Sequence, residues 1–167
     1  ELARARLNLN QRRFRVFAAT ASCESVPLCA DRGAIAMSRK FFRAQLTPVI
    51  RDAVKMARRD YREVCGLLVD SGCAIELLPV RNIARRPCRF IFDERQVKAF
   101  QGALATLGRE IVGTYHSHPF ADARPGRSDI AGTLDDSLML VIDCTERQAR
   151  LWHIKGDRAR AVRYALV

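Results

Sequence analysis

Apolar residues in this chain recur at two spacings, one typical of helices and one typical of strands. In residues 47–59 they return every three or four positions, the pattern of a helix with one buried face. Thr47 followed by Pro48 is a typical helix start. A second helix is predicted over residues 94–107, where Gly108 ends it. Its apolar stripe consists of Val97, Phe100, Leu104 and Leu107.

Strand-like runs fill most of the remaining chain. Residues 63–69 and 74–80 flank a turn sequence at 70–72, which predicts a β-hairpin. Residues 138–143 are apolar enough to form a central strand. Helices and strands in this order indicate an α/β sandwich around one mixed sheet. Further strands are predicted at 41–44, near Phe90–Phe92, and over 110–115, 149–155 and 159–167.

Length and composition are consistent with a single domain. A chain of 167 residues that is 49% hydrophobic can bury a core of its own. Residues 1–36 lack periodicity, so we expect 1–40 to be a poorly structured N-terminal extension and 41–167 to be the folded domain. No run approaches the roughly 20 apolar residues of a membrane span, and no signal-peptide pattern is present. These features predict no membrane partner and a cytoplasmic location, and they leave the oligomeric state open.

The six cysteines do not form a recognisable framework. No Cys-x-x-Cys pair occurs, and several cysteines lie inside apolar runs. We therefore expect reduced, mostly buried cysteines that act as small hydrophobic residues, with no disulfide framework and no cysteine zinc site.

The formal net charge of +11 raises the question of a polyanionic partner. The excess arginines are spread along the chain as isolated doublets, such as Arg58-Arg59 and Arg85-Arg86, without interleaved aromatic residues. A solvated basic surface is the first interpretation, and an acidic protein partner is the second. Nucleic acid is the least favoured partner.

Two of the three histidines, His116 and His118, lie close together in the sequence. They follow the strand-like run 110–115, and the two-residue period of a strand places both imidazoles on one face. Their backbones would lie roughly 6–7 Å apart, close enough for both rings to converge on one cation. Two such histidines are more often surface or packing residues, so the pair alone does not establish a metal site.

Asp129 is the natural candidate for a third ligand. The sequence from Ser128 onward is typical of a helix start, which would hold the carboxylate in a defined position. Three protein ligands and one open position are typical of catalytic zinc, which lowers the pKa of bound water. The sequence therefore predicts Zn²⁺ held by His116, His118 and Asp129, whereas His153 is expected to be a surface or packing residue.

The pattern His-x-His, ten further residues and Asp, with Glu63 far upstream, resembles the JAMM (MPN-plus) metalloprotease family in its compact bacterial form. The resemblance covers most of 41–167, and its other specific parts are residues 63–68, Asn82 and the strand at Phe90. It implies a curved mixed β-sheet flanked by helices. It also implies zinc-dependent hydrolysis of a peptide or isopeptide bond after the C-terminus of a ubiquitin-like or sulfur-carrier protein.

Site roles follow from the same resemblance. It assigns the zinc to His116, His118 and Asp129, and it makes Glu63 the catalytic base, which passes the proton of water to the leaving amine. Without the resemblance, we would expect Glu63 to be an exposed glutamate at a strand end. In the proposed role, a carboxylate with a pKa near neutrality suits general acid–base catalysis.

The chain departs from the family at one position. The family has a serine three residues before the aspartate, where its hydroxyl stabilises the oxyanion, and this chain has Gly126. Ser128, the backbone at Gly126 and the side chain of Arg124 or Arg127 are candidate oxyanion or substrate contacts. Loss of one oxyanion donor typically costs on the order of 10²–10³ in turnover, so we expect reduced activity more than lost metal.

Two other functions remain open from the sequence. A non-catalytic or weakly catalytic module that binds a ubiquitin-like protein would also retain the metal ligands. A nucleic-acid-associated function is third, motivated only by the charge. Several arginines could attract an acidic partner tail, although a solvated surface is the simpler explanation: Arg85, Arg86, Arg89 and Arg124.

Overall fold

A computed structural model describes residues 39–167, and within this range three helices flank one mixed sheet of eight strands. Of the expected extension 1–40, residues 1–38 lie outside the described residues, and Lys40 begins a strand. The helices are α1 Arg43–Asp60, α2 Glu94–Thr106 and α3 Arg127–Gly132. The strands are β1 Lys40–Phe41, β2 Cys65–Asp70, β3 Ile75–Val80, β4 Glu110–His118, β5 Ser137–Asp143, β6 Gln148–Lys155, β7 Arg158–Val162 and β8 Ala165–Leu166.

The sheet is curled, with the strand order β7-β6-β5-β4-β2-β3-β1-β8. Strands β7 and β8 occupy opposite edges, yet only two residues separate them along the chain, so the two edges approach each other. Tyr164 lies in this connection, where its hydroxyl donates to the carbonyl of Ala149 at 3.0 Å and its ring meets Phe41 edge-on at 5.2 Å. The prediction of a curved mixed sheet with flanking helices is confirmed.

Helix α1 covers one face of the sheet, and the opposite face carries two smaller clusters. Under α1, buried residues such as Ala53 and Val54 pack against Leu68 and Tyr115. Across the sheet, one cluster lies beneath α2 and the other beneath the segment that leads into α3. His116 is paired with Cys65 of the first cluster and with Val141 of the second, so the end of β4 lies between them.

The prediction for the start of α1 was wrong, because tertiary contacts start the helix earlier. The helix begins at Arg43, and Pro48 lies inside it. The backbone N–H of Arg43 donates to the carbonyl of Val167 at 2.8 Å, which satisfies a donor that the first turn leaves unpaired. The strand-like segment is accordingly confined to β1, where Phe41 is fully buried.

The predicted last strand is divided in two. Residues 158–162 pair with β6, whereas residues 165–166 pair with β1 at the other edge of the sheet. The curl of the sheet brings β1 within reach, and sequence periodicity carries no information about that partner.

Residues 81–92 do not form the expected short strand beyond a single bridge between Asn82 and Phe92. The side chain of Asn82 takes over the hydrogen bonding that a ladder would provide. Its Nδ2 donates to the carbonyls of Glu63 and Arg89, and its Oδ1 accepts from the backbone of Ala84 and Ile91.

Three further predictions, on Leu107, the cysteines and His153, can be compared with the structure. Leu107 is 68% exposed because it caps α2 instead of continuing its buried stripe. Cys65 and Cys144 are buried as expected, but Cys73 and Cys88 are exposed, because they lie in the turns that follow β2 and Pro87. His153 lies at the surface and bonds to Asp136 at 2.8 Å.

None of the helices within residues 39–167 combines the length and the apolar character needed to cross a bilayer.

Candidate metal centre

The two histidines lie at the C-terminal end of β4 with their rings on the same face of the sheet. The Nε2 atoms of His116 and His118 are 3.1 Å apart. The side chain of His116 is completely buried, and that of His118 is 13% exposed. The strand period therefore directs two imidazole nitrogens toward one point that is accessible from one side.

Asp129 joins them from the first turn of α3. The backbone N–H of Gly126 donates to its Oδ2 at 2.7 Å, which fixes the carboxylate across the helix start. The same oxygen lies 3.3 Å from Nε2 of His116 and 3.5 Å from Nε2 of His118. Among residues 39–167, these three side chains form the group whose spacing suits a metal ion.

The distances within this group fit zinc. With Zn–N distances of about 2.0–2.1 Å, a tetrahedral site separates neighbouring ligand atoms by about 3.3–3.4 Å. The observed separations of 3.1, 3.3 and 3.5 Å bracket that value. Two imidazoles and one carboxylate form the ligand type of catalytic zinc sites, which leave one position for water or substrate.

The protonation states of His116 and Asp129 also suit metal binding. Burial lowers the pKa of His116, against the hydrogen bond to Asp129, so this ring is held in the neutral form that a ligand needs. Burial raises the pKa of Asp129, but hydrogen bonds from the two imidazoles lower it on balance far below its ordinary range. For His118, burial lowers the pKa, whereas hydrogen bonds to Asp129 and to the carbonyl of Asp122 raise it overall.

Contacts around the ligands orient their rings. Nδ1–H of His118 donates to the carbonyl of Asp122 at 2.8 Å, so in the neutral form of this ring Nε2 carries the lone pair that a metal needs. The indole N–H of Trp152 donates to the carbonyl of Ala123 at 2.8 Å. It thereby holds the loop that also contains Asp122, the acceptor for His118. Phe90 stacks on His116 with ring centroids 4.7 Å apart.

Sequence reasoning missed these contacts. A backbone carbonyl such as that of Asp122 has no side-chain signature, and Phe90 and Trp152 are distant in sequence from the histidines. The indole of Trp152 carried one weak signal, since a tryptophan in a half-buried strand needs an acceptor for its N–H.

Glu63 lies next to this group, two residues before β2 begins. Ser117 and Val64 hold this end of the strand pair, because Ser117 N–H donates to the carbonyl of Val64 and Val64 N–H donates to Oγ of Ser117. Continuing the pairing of Cys65 with His116 places Glu63 opposite His118. The glutamate is 7% exposed, so it is not the solvent-exposed strand-end residue that its sequence position alone suggested.

Burial raises the pKa of Glu63 from 4.5 to about 7, while the positive charge of His118 works in the opposite direction. The nearby charge of Arg89 also lowers it. A carboxylate that titrates near neutrality can both accept and donate a proton at cellular pH.

The remaining candidate contacts lie at the entrance. Arg124 is exposed and pairs with Asp122 at 3.3 Å. Gly126 caps α3 in an extended conformation, and a Cβ built on it would lie 3.2 Å from Oδ2 of Asp129 and 3.8 Å from Oγ of Ser128. The hydroxyl of Ser128 therefore borders the space that a side chain at position 126 would enter.

Comparison with known proteins places this geometry in a family. Residues 46–155 match the model described as prokaryotic homologs of the JAB domain. The chain belongs to the prokaryotic JAB family. The resemblance to JAMM (MPN-plus) proteins is thereby confirmed.

A curated relative of this JAB-family protein matches part of the chain. A segment of 71 residues is 34% identical to the desampylase of Haloferax volcanii and corresponds to 40% of this chain and 51% of the relative. The chain thus spans about half the length of that curated relative.

Two solved structures share the fold. The protein DSY2949 of Desulfitobacterium hafniense has a TM-score of 0.63 at 23% identity over 77% of this chain and 92% of its own. The JAB1/MPN domain protein AF2198 of Archaeoglobus fulgidus has a TM-score of 0.51 at 20% identity over 78% and 99%.

The burial of Glu63 predicts a pH-dependent penalty on stability. Because folding raises its pKa from 4.5 to about 7, ionisation opposes folding, and the free energy of unfolding falls as the pH rises through this window. In metal-free protein, Glu63→Gln should be more stable than wild type at pH 8, by on the order of 3 kcal/mol. The difference should shrink toward zero below about pH 4.5. Urea unfolding of both proteins across this range measures it.

Glu110→Gln is the matched control, since Glu110 is exposed at the opposite end of the β2–β4 strand pair. A pH-independent difference between Glu63→Gln and wild type would contradict the burial of a titrating carboxyl group.

The anchoring of the 119–126 loop by Trp152 predicts an effect on metal affinity. Trp152→Phe keeps an aromatic ring but removes the N–H that holds the carbonyl of Ala123. Loss of such outer support typically weakens metal binding by about 10-fold or more, and competition with a zinc-sensitive dye measures it. Tyr164→Phe removes a comparable hydrogen bond at the sheet edges and should leave zinc affinity unchanged. Equal affinity in all three proteins would show that Trp152 does not position the loop.

Proposed function

We propose that this JAB-family protein is a zinc-dependent hydrolase that cleaves the peptide or isopeptide bond after the C-terminus of a ubiquitin-like or sulfur-carrier protein. The observation that carries the proposal is the convergence of His116, His118 and Asp129 at zinc-like spacing, with a buried carboxylate beside them.

Each side chain has a defined task in this reaction. His116, His118 and Asp129 would hold Zn²⁺, which when bound supplies Lewis acidity toward water and toward the scissile carbonyl. Glu63 takes the proton that water gives up as its oxygen attacks the carbonyl carbon. It then delivers this proton to the leaving nitrogen as the C–N bond breaks, and its pKa of about 7 suits both steps.

The substrate class is inferred from relatives and from charge. The partial match to a protein named desampylase supports a ubiquitin-like protein conjugate as the substrate. The net charge of +11, with Arg89 near Glu63, favours an acidic partner. The proposal places the reaction in the cytoplasm, where thiols such as those of Cys65 and Cys144 stay reduced.

Ser128 is our candidate for the oxyanion donor. Its hydroxyl lies 3.8 Å from the position of a Cβ on Gly126, the position where the family has its serine. Arg124 is a weaker candidate because it is paired with Asp122 at the surface.

A pair of histidine variants tests the metal dependence. Wild type should contain about one zinc per chain and cleave members of a panel of ubiquitin-like and sulfur-carrier fusions, and chelator should stop the cleavage. His116→Ala should lose both zinc and activity. His153→Ala, which removes a histidine paired with Asp136 at the surface, should keep both. Metal analysis and gel-based cleavage assays provide the readouts.

Glu63→Ala separates catalysis from binding. It should retain zinc while turnover falls by about 10²–10⁴. The alternative of a binding module is favoured by Gly126, which removes a hydroxyl that the family uses. That alternative would be established if wild type and Glu63→Ala bound a fusion equally and neither cleaved it.

The oxyanion assignment predicts a compensating pair of substitutions. Ser128→Ala should lower kcat by about 10–100-fold, toward the cost of one lost oxyanion donor. Gly126→Ser in that background should recover most of the loss, since the φ of −75° at this position is compatible with serine and the introduced Cβ needs only a small shift of Asp129. Unchanged kcat in Ser128→Ala would instead assign the role to backbone N–H groups of the 125–127 turn.

A further inference from the structure

Two aromatic residues lie close in the chain to Glu63 and His118. Tyr61 caps α1 and precedes Glu63 by two residues, and Phe120 follows His118, the last residue of β4, by two residues. Two residues of chain span at most about 7 Å, so both aromatic residues lie near the proposed base and a metal ligand. Their rings meet, with centroids 5.2 Å apart. This aromatic pair therefore borders the candidate metal centre.

Both rings of the aromatic pair face solvent. Tyr61 is 51% exposed and Phe120 is 68% exposed. Among residues 39–167 they are the most exposed of the large aromatic side chains. Exposed apolar surface beside a cleft is typical of a binding site, and aromatic residues dominate the energetics of such contacts. The rings are tilted by 46°, which forms an angled surface suited to an aliphatic side chain and not a parallel slot for a flat base.

The backbone holds the aromatic pair in place. Tyr61 has a φ of 55°, a left-handed conformation that is unfavourable for a bulky residue. Its N–H donates to the carbonyl of Ala57 at 3.1 Å, and its carbonyl accepts from the N–H of Cys88 at 2.8 Å. The conformation and the bond to Ala57 are those of a helix C-cap, since Tyr61 ends α1, and together with the bond from Cys88 they fix the backbone that carries the ring.

We propose that Tyr61 and Phe120 form a subsite for an apolar side chain of the substrate. Each aromatic residue is two residues away from Glu63 or His118, a span of at most about 7 Å, and two residues of an extended substrate advance about as far. The apolar residue therefore lies within about two positions of the scissile bond. This specificity subsite rests on the proposed function, because it locates the bond beside Glu63 and His118.

Binding to a catalytically silent protein tests the subsite without turnover. The probes are fluorescent ten-residue peptides that span the junctions of the ubiquitin-like fusions used above. A single Leu is moved through the three positions on either side of the bond, in place of Ala. Zinc-loaded Glu63→Gln should bind one Leu position within two residues of the bond about 10-fold more tightly than the Ala peptide. Phe120→Ala in that background should abolish this preference.

Two further variants define the specificity of the effect. Tyr61→Asn removes the ring but tolerates the left-handed conformation, and it should act like Phe120→Ala. Leu107→Ala truncates a side chain that is as exposed as Phe120 but lies at the end of α2, and it should leave the preference unchanged. In the cleavage assay, Phe120→Ala should raise KM for the Leu-containing junction about 10-fold and change kcat by less than about twofold.

The subsite is excluded if no Leu position is preferred, if the preference survives Phe120→Ala, or if the aromatic pair binds single-stranded nucleic acid instead of the peptides. These results differ from failure of the proposed function, which would appear as absent cleavage or absent zinc while the Leu preference remains.

Discussion

The antiparallel pairing of β2 with β4 is the constraint on which the site depends. It sets Cys65 against His116 and, beyond the regular ladder, brings Glu63 beside His118. A shift of one residue would turn the glutamate or the imidazoles to the other face of the sheet, because side chains alternate along a strand. The parallel pairing of β4 with β5 accounts for the position of the third candidate ligand. A parallel connection needs a crossover, and this crossover contains the first turn of α3 and hence Asp129.

Function and stability oppose each other at this end of the sheet. His116 and Glu63 are buried polar groups, and desolvation shifts both toward their neutral forms. The same shift prepares His116 as a ligand and Glu63 as a proton carrier. The larger cluster beneath α1, on the other face, provides apolar burial that can offset this cost, as expected where a site is built from destabilising groups.

The sequence predicted what local chemistry determines. The β2–β3 hairpin, the body of α1, the extent of α2 and the strand leading to His118 all follow from periodicity and turn residues. The start of α1, the division of the last strand and the irregular 81–92 segment do not, because each depends on a partner distant in sequence. At the site, the spacing of His116, His118 and Asp129 anticipated which side chains come together. It did not anticipate the stacking of Phe90, the tether from Trp152 or the burial of Glu63, which arise from tertiary packing alone.

The curled sheet has a consequence for self-association. Its outermost strands are short: β8 has two residues, and β7 has five, among them Arg158 and Arg160. Short, positively charged borders are a common protection against the stacking of sheets into aggregates. An extended peptide tail that approached this protein would find little unpaired backbone along these edge strands. It would bind more favourably at the candidate metal centre, at the C-terminal end of β4.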